Sequence, residues 1–184
     1  MEFFNVLKED GTPTNEFVSR EKAHRTGILH ATSQVFVVRK KEGRLFVLLQ
    51  KRSDNKDSFP GCWDMSCAGH VSLGMHYLDT AQKELSEELG LTVKPEELIP
   101  LFLHKTEIRD TFYGKPFIDR QISQVYLLVK DVEEEEIHFG QDEISCVKWV
   151  EATALLQKLK TDPHGYCIDP VKLEKALVLC AKYV

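Results

Sequence analysis

Leu78, Ala81, Leu85 and Leu89 recur at i, i+3, i+7 and i+11, and the pattern stops at Gly90. That spacing predicts an amphipathic helix with one apolar stripe and a glycine cap at its end. The sequence around it offers strands. Val35 to Val38 and Leu45 to Leu49 are apolar runs joined by a Lys-Lys-Glu-Gly turn, which predicts a hairpin. Asp10-Gly11 predicts an earlier hairpin within residues 1–20, followed by a short helix near Glu21 to Arg25. After a turn at Phe59-Pro60-Gly61, the stretch CWDMSCAGHVSLG reads as a strand and loop leading into the amphipathic helix. Further strands are expected near Leu98 to His104, Gln121 to Val129 and Val147 to Val150, with two closing helices within residues 152–182. Glu133 to Glu136 reads as a solvated loop. The order is mixed α/β, built from hairpins rather than repeated βαβ units.

The chain has 184 residues, 42% of them hydrophobic, which fits one domain over residues 1–184 with a substantial core. Its net charge of −5 carries no electrostatic footprint for nucleic acid or an anionic membrane. Five cysteines, none spaced C-x-x-C, argue against a disulfide framework or a zinc ribbon and favour a reducing, cytoplasmic setting. The N-terminal stretch is acidic and the apolar runs are of strand length, so neither a signal peptide nor a membrane span is expected.

The helix is also chemically unusual, because KELSEELGL places Glu84, Glu87 and Glu88 within five positions. Like charges three or four apart on a helix repel by roughly 0.2–0.5 kcal/mol per pair. At about 100° per residue, Glu84 and Glu88 lie about 40° apart on the flank of the apolar stripe, so half exposure is expected, with Lys83 directed away from them. Either water screens the charges or a cation does, and hard carboxylate oxygens suit Mg²⁺.

From Gly69 to Leu91, GHVSLGMHYLDTAQKELSEELGL resembles the Nudix box, G-x5-E-x7-R-E-U-x-E-E-x-G-U, where U is a bulky aliphatic. Gly69, Glu84, Leu85, Glu87, Glu88, Gly90 and Leu91 match in register, while Met75 and Lys83 replace a glutamate and an arginine that pair in the family. The stretches AHRTGILH and KRSDNKDSFPGCWDMSCAGHVSLG extend the resemblance to the branch containing isopentenyl-diphosphate isomerase and its hydrolase-like relatives. The resemblance implies an α/β/α sandwich around a mixed β-sheet. It also implies Mg²⁺ or Mn²⁺ held by Glu84, Glu87, Glu88 and the Gly69 carbonyl, a small-molecule diphosphate as substrate, and diphosphate contacts from Arg52, Lys56 and His70.

Two positions separate the chemistries of that branch. The isomerases use a cysteine and a glutamate for proton transfer at carbon; the corresponding residues here are Ala68 and Gln121. Cys67 is one residue early, which in an extended segment turns its side chain to the opposite face, and an amide does not titrate. His24, His30, His70 and Asp119 lie near the places where the isomerases bind a second divalent metal; their alternative is local hydrogen bonding or substrate contact. The expected function is therefore an Mg²⁺-dependent hydrolase of a diphosphate linkage in a nucleoside diphosphate derivative or related organic diphosphate. The alternatives are the isomerase and a non-catalytic nucleotide-binding sensor.

Overall fold

The computed structural model describes residues 2–184. Its N-terminal hairpin, β1 (Phe3–Leu7) and β2 (Pro13–Ser19), forms a separate two-stranded sheet turning at Asp10-Gly11. Ser19 then caps α1 (Arg20–Thr26) by accepting a hydrogen bond from the Lys22 amide.

Seven strands make the main sheet: β3 (His30–Lys41), β4 (Arg44–Arg52), β5 (Trp63–Asp64), β6 (Cys67–His70), β7 (Leu98–Phe112), β8 (Lys115–Val129) and β9 (Ile144–Glu151). β3 is its spine. It runs parallel to β8 over His30 to Val38, whereas its other edge pairs antiparallel with two partners in succession, β6 at Thr32 to Val35 and β4 at Val38 to Lys41. β4 pairs with β3 only near the Glu42-Gly43 turn, and farther along takes β5 at Gln50 and Lys51. The two long strands therefore diverge, β6 following one and β5 the other, and a wedge opens between them.

Helices cover both faces, so the structure has the three layers expected. α2 (Tyr77–Leu89) lays Ala81, Leu85 and Leu89 against Val35, Val37, Leu48 and Cys67. It ends at Gly90, whose φ of 67° is the left-handed conformation that a glycine adopts without strain. α3 (Ala152–Thr161) and α4 (Pro170–Cys180) pack Leu155, Leu159, Leu173 and Ala176 against Phe36, Val38, Val47 and Leu49 on the other face. Alternate residues of β3 thus feed opposite cores, as the two-residue strand period requires.

Two segments differ from the sequence expectation. β7 and β8 are each 15 residues long and form one continuous hairpin that turns at Tyr113-Gly114 and projects beyond the packed layers. The tract Glu133 to Glu136 is not a plain solvated loop: Glu134–Glu136 form a short 3₁₀ turn, and Glu133 pairs with Arg39 and Lys41.

Candidate active site

The wedge between β3 and β4 is the floor of a cavity of about 600 Å³. Its walls come from α2, from the start of α4, from the projecting β7–β8 arm and from the loop between β4 and β5. Gly69, His70, Glu84, Glu87, Glu88, Arg52, Lys56, His24 and Asp119, all singled out from the sequence, line it together. His30 lies behind that lining, wholly buried.

α2 enters the cavity with its acidic flank. Glu88 is only 8% exposed, and its Oε2 accepts hydrogen bonds from Gln50 Nε2 at 3.1 Å and the Ala68 amide at 3.3 Å. The expected half exposure is thus corrected for Glu88, because β4 and β6 close over it. Burial, reinforced by the Glu84 charge, pushes its carboxyl up to about 7. Glu84 is raised as well, chiefly by burial. It approaches the chain so closely that a Cβ at position 69 would collide with its Cδ, so any other residue there would push the Glu84 carboxylate out of this position.

Lys83 does not point away from the glutamates. Its Nζ lies 2.7 Å from Glu87 Oε2 and 3.1 Å from Glu84 Oε1, because the i, i+4 spacing and a four-carbon stem bring the ammonium back across the helix surface. Met75, the other departure from the box, packs against the apolar cluster of Leu7, Leu29, Ala31, Val71 and Ile122. An apolar contact stands where the family pattern has an ion pair.

Beside this acidic wall, His24, His30 and His70 bring one ring nitrogen each to within 4.8 Å of one another. Phe4 stacks on His30 and His70, with ring centroids 4.9 and 4.7 Å away. His30 Nδ1 lies 2.8 Å from the Ile28 carbonyl oxygen and donates to it, which leaves the Nε2 lone pair facing inward. Nε2 lies 3.4 Å from Asp119 Oδ1, yet among the described residues neither atom has a hydrogen-bond partner, although both are buried. His24 Nε2 is 3.2 Å from His70 Nε2 and 3.9 Å from Asp119 Oδ1. Burial lowers all three imidazoles, His24 to about 4, and raises Asp119 to about 6.

Arg52, the last residue of β4, is tied down by its neighbours. It donates to the Ser58 carbonyl oxygen, at 2.9 Å from Nη2 and 3.2 Å from Nε, and its Nη1 sits 3.4 Å from Asp64 Oδ2. Lys56 pairs with Glu143 at 3.1 Å. Ala68 and Gln121 also line the cavity, whereas Cys67 is wholly buried in the core beneath α2, the face that its one-residue offset predicts. Sequence reasoning missed Gln34 and Lys172, both buried and both lining the cavity. Gln34 left a trace, as one of three consecutive polar residues, Thr32-Ser33-Gln34, inside an otherwise apolar strand.

The family model for the NUDIX domain matches residues 29–169. Nudix hydrolase 3 of Arabidopsis thaliana is 39% identical over 153 residues, 81% of this chain, but the chain spans only 19% of that protein's length. A Nudix hydrolase of Clostridium acetobutylicum, itself uncharacterized, is 32% identical over 89% of this chain and 77% of its own. An isopentenyl-diphosphate Delta-isomerase of Cereibacter sphaeroides is 27% identical over 81% of this chain and 78% of its own. In fold, the crystal structure of DR0079 from Deinococcus radiodurans superposes with a TM-score of 0.65 at 20% identity, covering all of both chains. Among the described residues no helix is long and apolar enough to cross a membrane.

Proposed function

The chain belongs to the Nudix domain family, and from that premise we propose that it is a hydrolase that uses Mg²⁺ or Mn²⁺ to cleave the diphosphate linkage of a nucleoside diphosphate derivative or related organic diphosphate. The observation that carries the reading is Glu88: a carboxylate buried beside a second one, Glu84, with two neutral hydrogen-bond donors and, among the described residues, no cation paired with it. Such an arrangement is unfavourable in isolation and is relieved by a positive ion. Glu84, Glu87, Glu88 and the Gly69 carbonyl are the oxygen donors that would hold it. Bound there, a divalent ion supplies positive charge to the diphosphate and acidifies an attacking water.

The residues of the chain do the rest. Gln50 and the Ala68 amide fix the Glu88 carboxylate so that it does not rotate away from the cavity. Arg52, braced by Ser58 and Asp64, presents a planar guanidinium at the cavity wall, a form suited to phosphate oxygens, and Lys56 adds a second cation. His24, His30, His70 and Asp119 fit a second divalent ion. Their imidazoles are neutral, the His30 lone pair is aimed inward by the Ile28 carbonyl, and the orphaned Asp119 oxygen would be satisfied.

Isomerisation is disfavoured because Ala68 and Gln121, at the two positions where carbon chemistry needs ionisable groups, have none. The sensor alternative shares the cavity and differs only in lacking turnover. The test is phosphate or nucleotide release from a panel of nucleotide sugars, dinucleoside polyphosphates, CoA and isoprenoid diphosphates with Mg²⁺, comparing wild type with Glu88→Gln. Turnover that falls by orders of magnitude in the variant is the expected result. Equal turnover by the two proteins would remove the reading.

A further inference from the structure

Among the described residues five cationic side chains line the cavity, and four of them are already neutralised. Arg20 pairs with Glu2, Arg52 with Asp64, Lys56 with Glu143, and Lys83 with Glu84 and Glu87. Lys172, in the first turn of α4, is the exception: among the described residues no carboxylate forms an ion pair with it. It is nevertheless 5% exposed. Its Nζ donates one hydrogen bond, at 2.8 Å, to Gln34 Oε1, itself on a side chain only 6% exposed. An ammonium has three donors, so two are left without an acceptor among the described residues at the cavity wall.

Of the acids nearby, Asp119 forms no ion pair with Lys172, and Asp169 and Asp64 are committed elsewhere. Asp169 Oδ1 caps α4 through the Val171 amide at 2.8 Å, and its Oδ2 lies 2.9 Å from His104 Nε2. Asp64 accepts from the Met65 amide and from Arg52. A buried ammonium with spare donors and no directly paired carboxylate is a costly arrangement that an anionic ligand completes. Gln34 holds it in place, and Gln34 lies opposite Ala68 in the β3–β6 ladder, the residue whose amide anchors Glu88. The ammonium thus comes from the layer opposite α2 and is fixed on the strand pair that also fixes the acidic helix.

We propose that Lys172 binds an anionic oxygen of the substrate from the wall facing the acidic helix. This rests on the reading of the cavity as a diphosphate site and adds the residue that selects what accompanies the metal-held group. The oxygen belongs either to the diphosphate itself or to a further anionic group attached to it. A substrate offering only hydrocarbon at this wall would leave the ammonium uncompensated and is selected against.

The experiment measures binding of inorganic pyrophosphate and of inorganic tripolyphosphate by calorimetry, each with Mg²⁺ and with EDTA. The proteins compared are wild type, Lys172→Met and Lys172→Gln. The glutamine variant can keep a hydrogen bond to Gln34 without the charge, so it carries the test if the methionine variant does not fold; melting curves establish folding for both. The expected result is a loss of about ten- to hundredfold in affinity for at least one probe, the effect of removing a charge-assisted hydrogen bond. The salt dependence of the remaining affinity should also be shallower. Equal loss on both probes assigns the oxygen to the diphosphate, and loss confined to tripolyphosphate assigns it to a further anionic group. Unchanged affinity for both probes in a folded neutral variant overturns the proposal. Wild-type binding that is indifferent to Mg²⁺ would contradict the acidic-helix reading instead, and leaves the comparison at Lys172 intact.

Discussion

At the scale of single residues, the site is governed by what burial does to ionisation. Glu88 has its carboxyl raised from 4.5 to about 7, by burial first and the Glu84 charge second. A raised acid pKa in the folded state means that its stabilising contribution is complete below about pH 4.5 and is lost as pH rises through 7. The three histidines shift in the opposite sense, lowered by burial, so they withdraw stability as pH falls below 6.5. The overall profile is therefore a sum of opposed slopes, and a difference between two proteins isolates Glu88. In EDTA, Glu88→Gln should melt close to wild type at pH 4.5 and progressively above it towards pH 8. The gap should correspond to a few kcal/mol, at about 1.36 kcal/mol per pKa unit. Paired melting curves across that range measure it, and a constant offset would show that Glu88 does not ionise in this window.

Among the elements, the β7–β8 arm was the least legible in the sequence. Between Lys105 and Arg120 one face of the hairpin lines the cavity with Thr106, Ile108, Phe117 and Asp119 while the other is largely solvated, so the alternation is one of mixed polarity, and only the inner ends, near Leu98 and Val125, read as β. What holds the outer part is aromatic. Phe112 lies 4.8 Å from Phe59 on the β4–β5 loop and 5.3 Å from Phe117, and the Tyr113 hydroxyl donates to the Lys56 carbonyl oxygen at 3.1 Å. Aromatic pairs of this kind contribute about 0.5–1.5 kcal/mol each. Phe112→Ala should therefore speed amide exchange across residues 106–120 while lowering the melting temperature by only a few degrees. Exchange that is unchanged would mean that the arm is held by its own ladder alone. α2 was the opposite case, because helical period, glycine cap and acidic flank were all written locally. Lys172 left no such mark: a lysine in a helical pattern reads as solvated surface, and it is the packing of α4 against β7 and β8, with the hydrogen bond to Gln34 on β3, that buries it.

For the molecule as a whole, function depends on two layers meeting at a split sheet. α2 brings the acids from one face, and α4 brings Lys172 from the other; the divergence of β3 and β4 lets both reach one cavity. A ligand seated there would touch both layers and bind only the folded chain. Saturating Mg²⁺ should accordingly raise the melting temperature of wild type. At a hundredfold excess over the dissociation constant the gain is about 2.7 kcal/mol, and EDTA should reverse it. A shift that is equally large in Glu88→Gln would assign the cation to another site.

The two ion pairs of Lys83 give the acidic helix a tethered counter-ion. At Glu84 and Glu87 a diffusing cation would have to displace a competitor that cannot leave, whose local concentration is set by the length of its own stem. If the glutamates hold Mg²⁺ as proposed, Lys83 would work as a threshold, raising the Mg²⁺ concentration at which the site fills and shielding Glu84 and Glu87 from one another below it. Lys83→Gln should lower the half-saturating Mg²⁺ concentration several-fold in a calorimetric titration. A higher concentration in that variant would mean that Lys83 assists the cation's entry rather than opposing it.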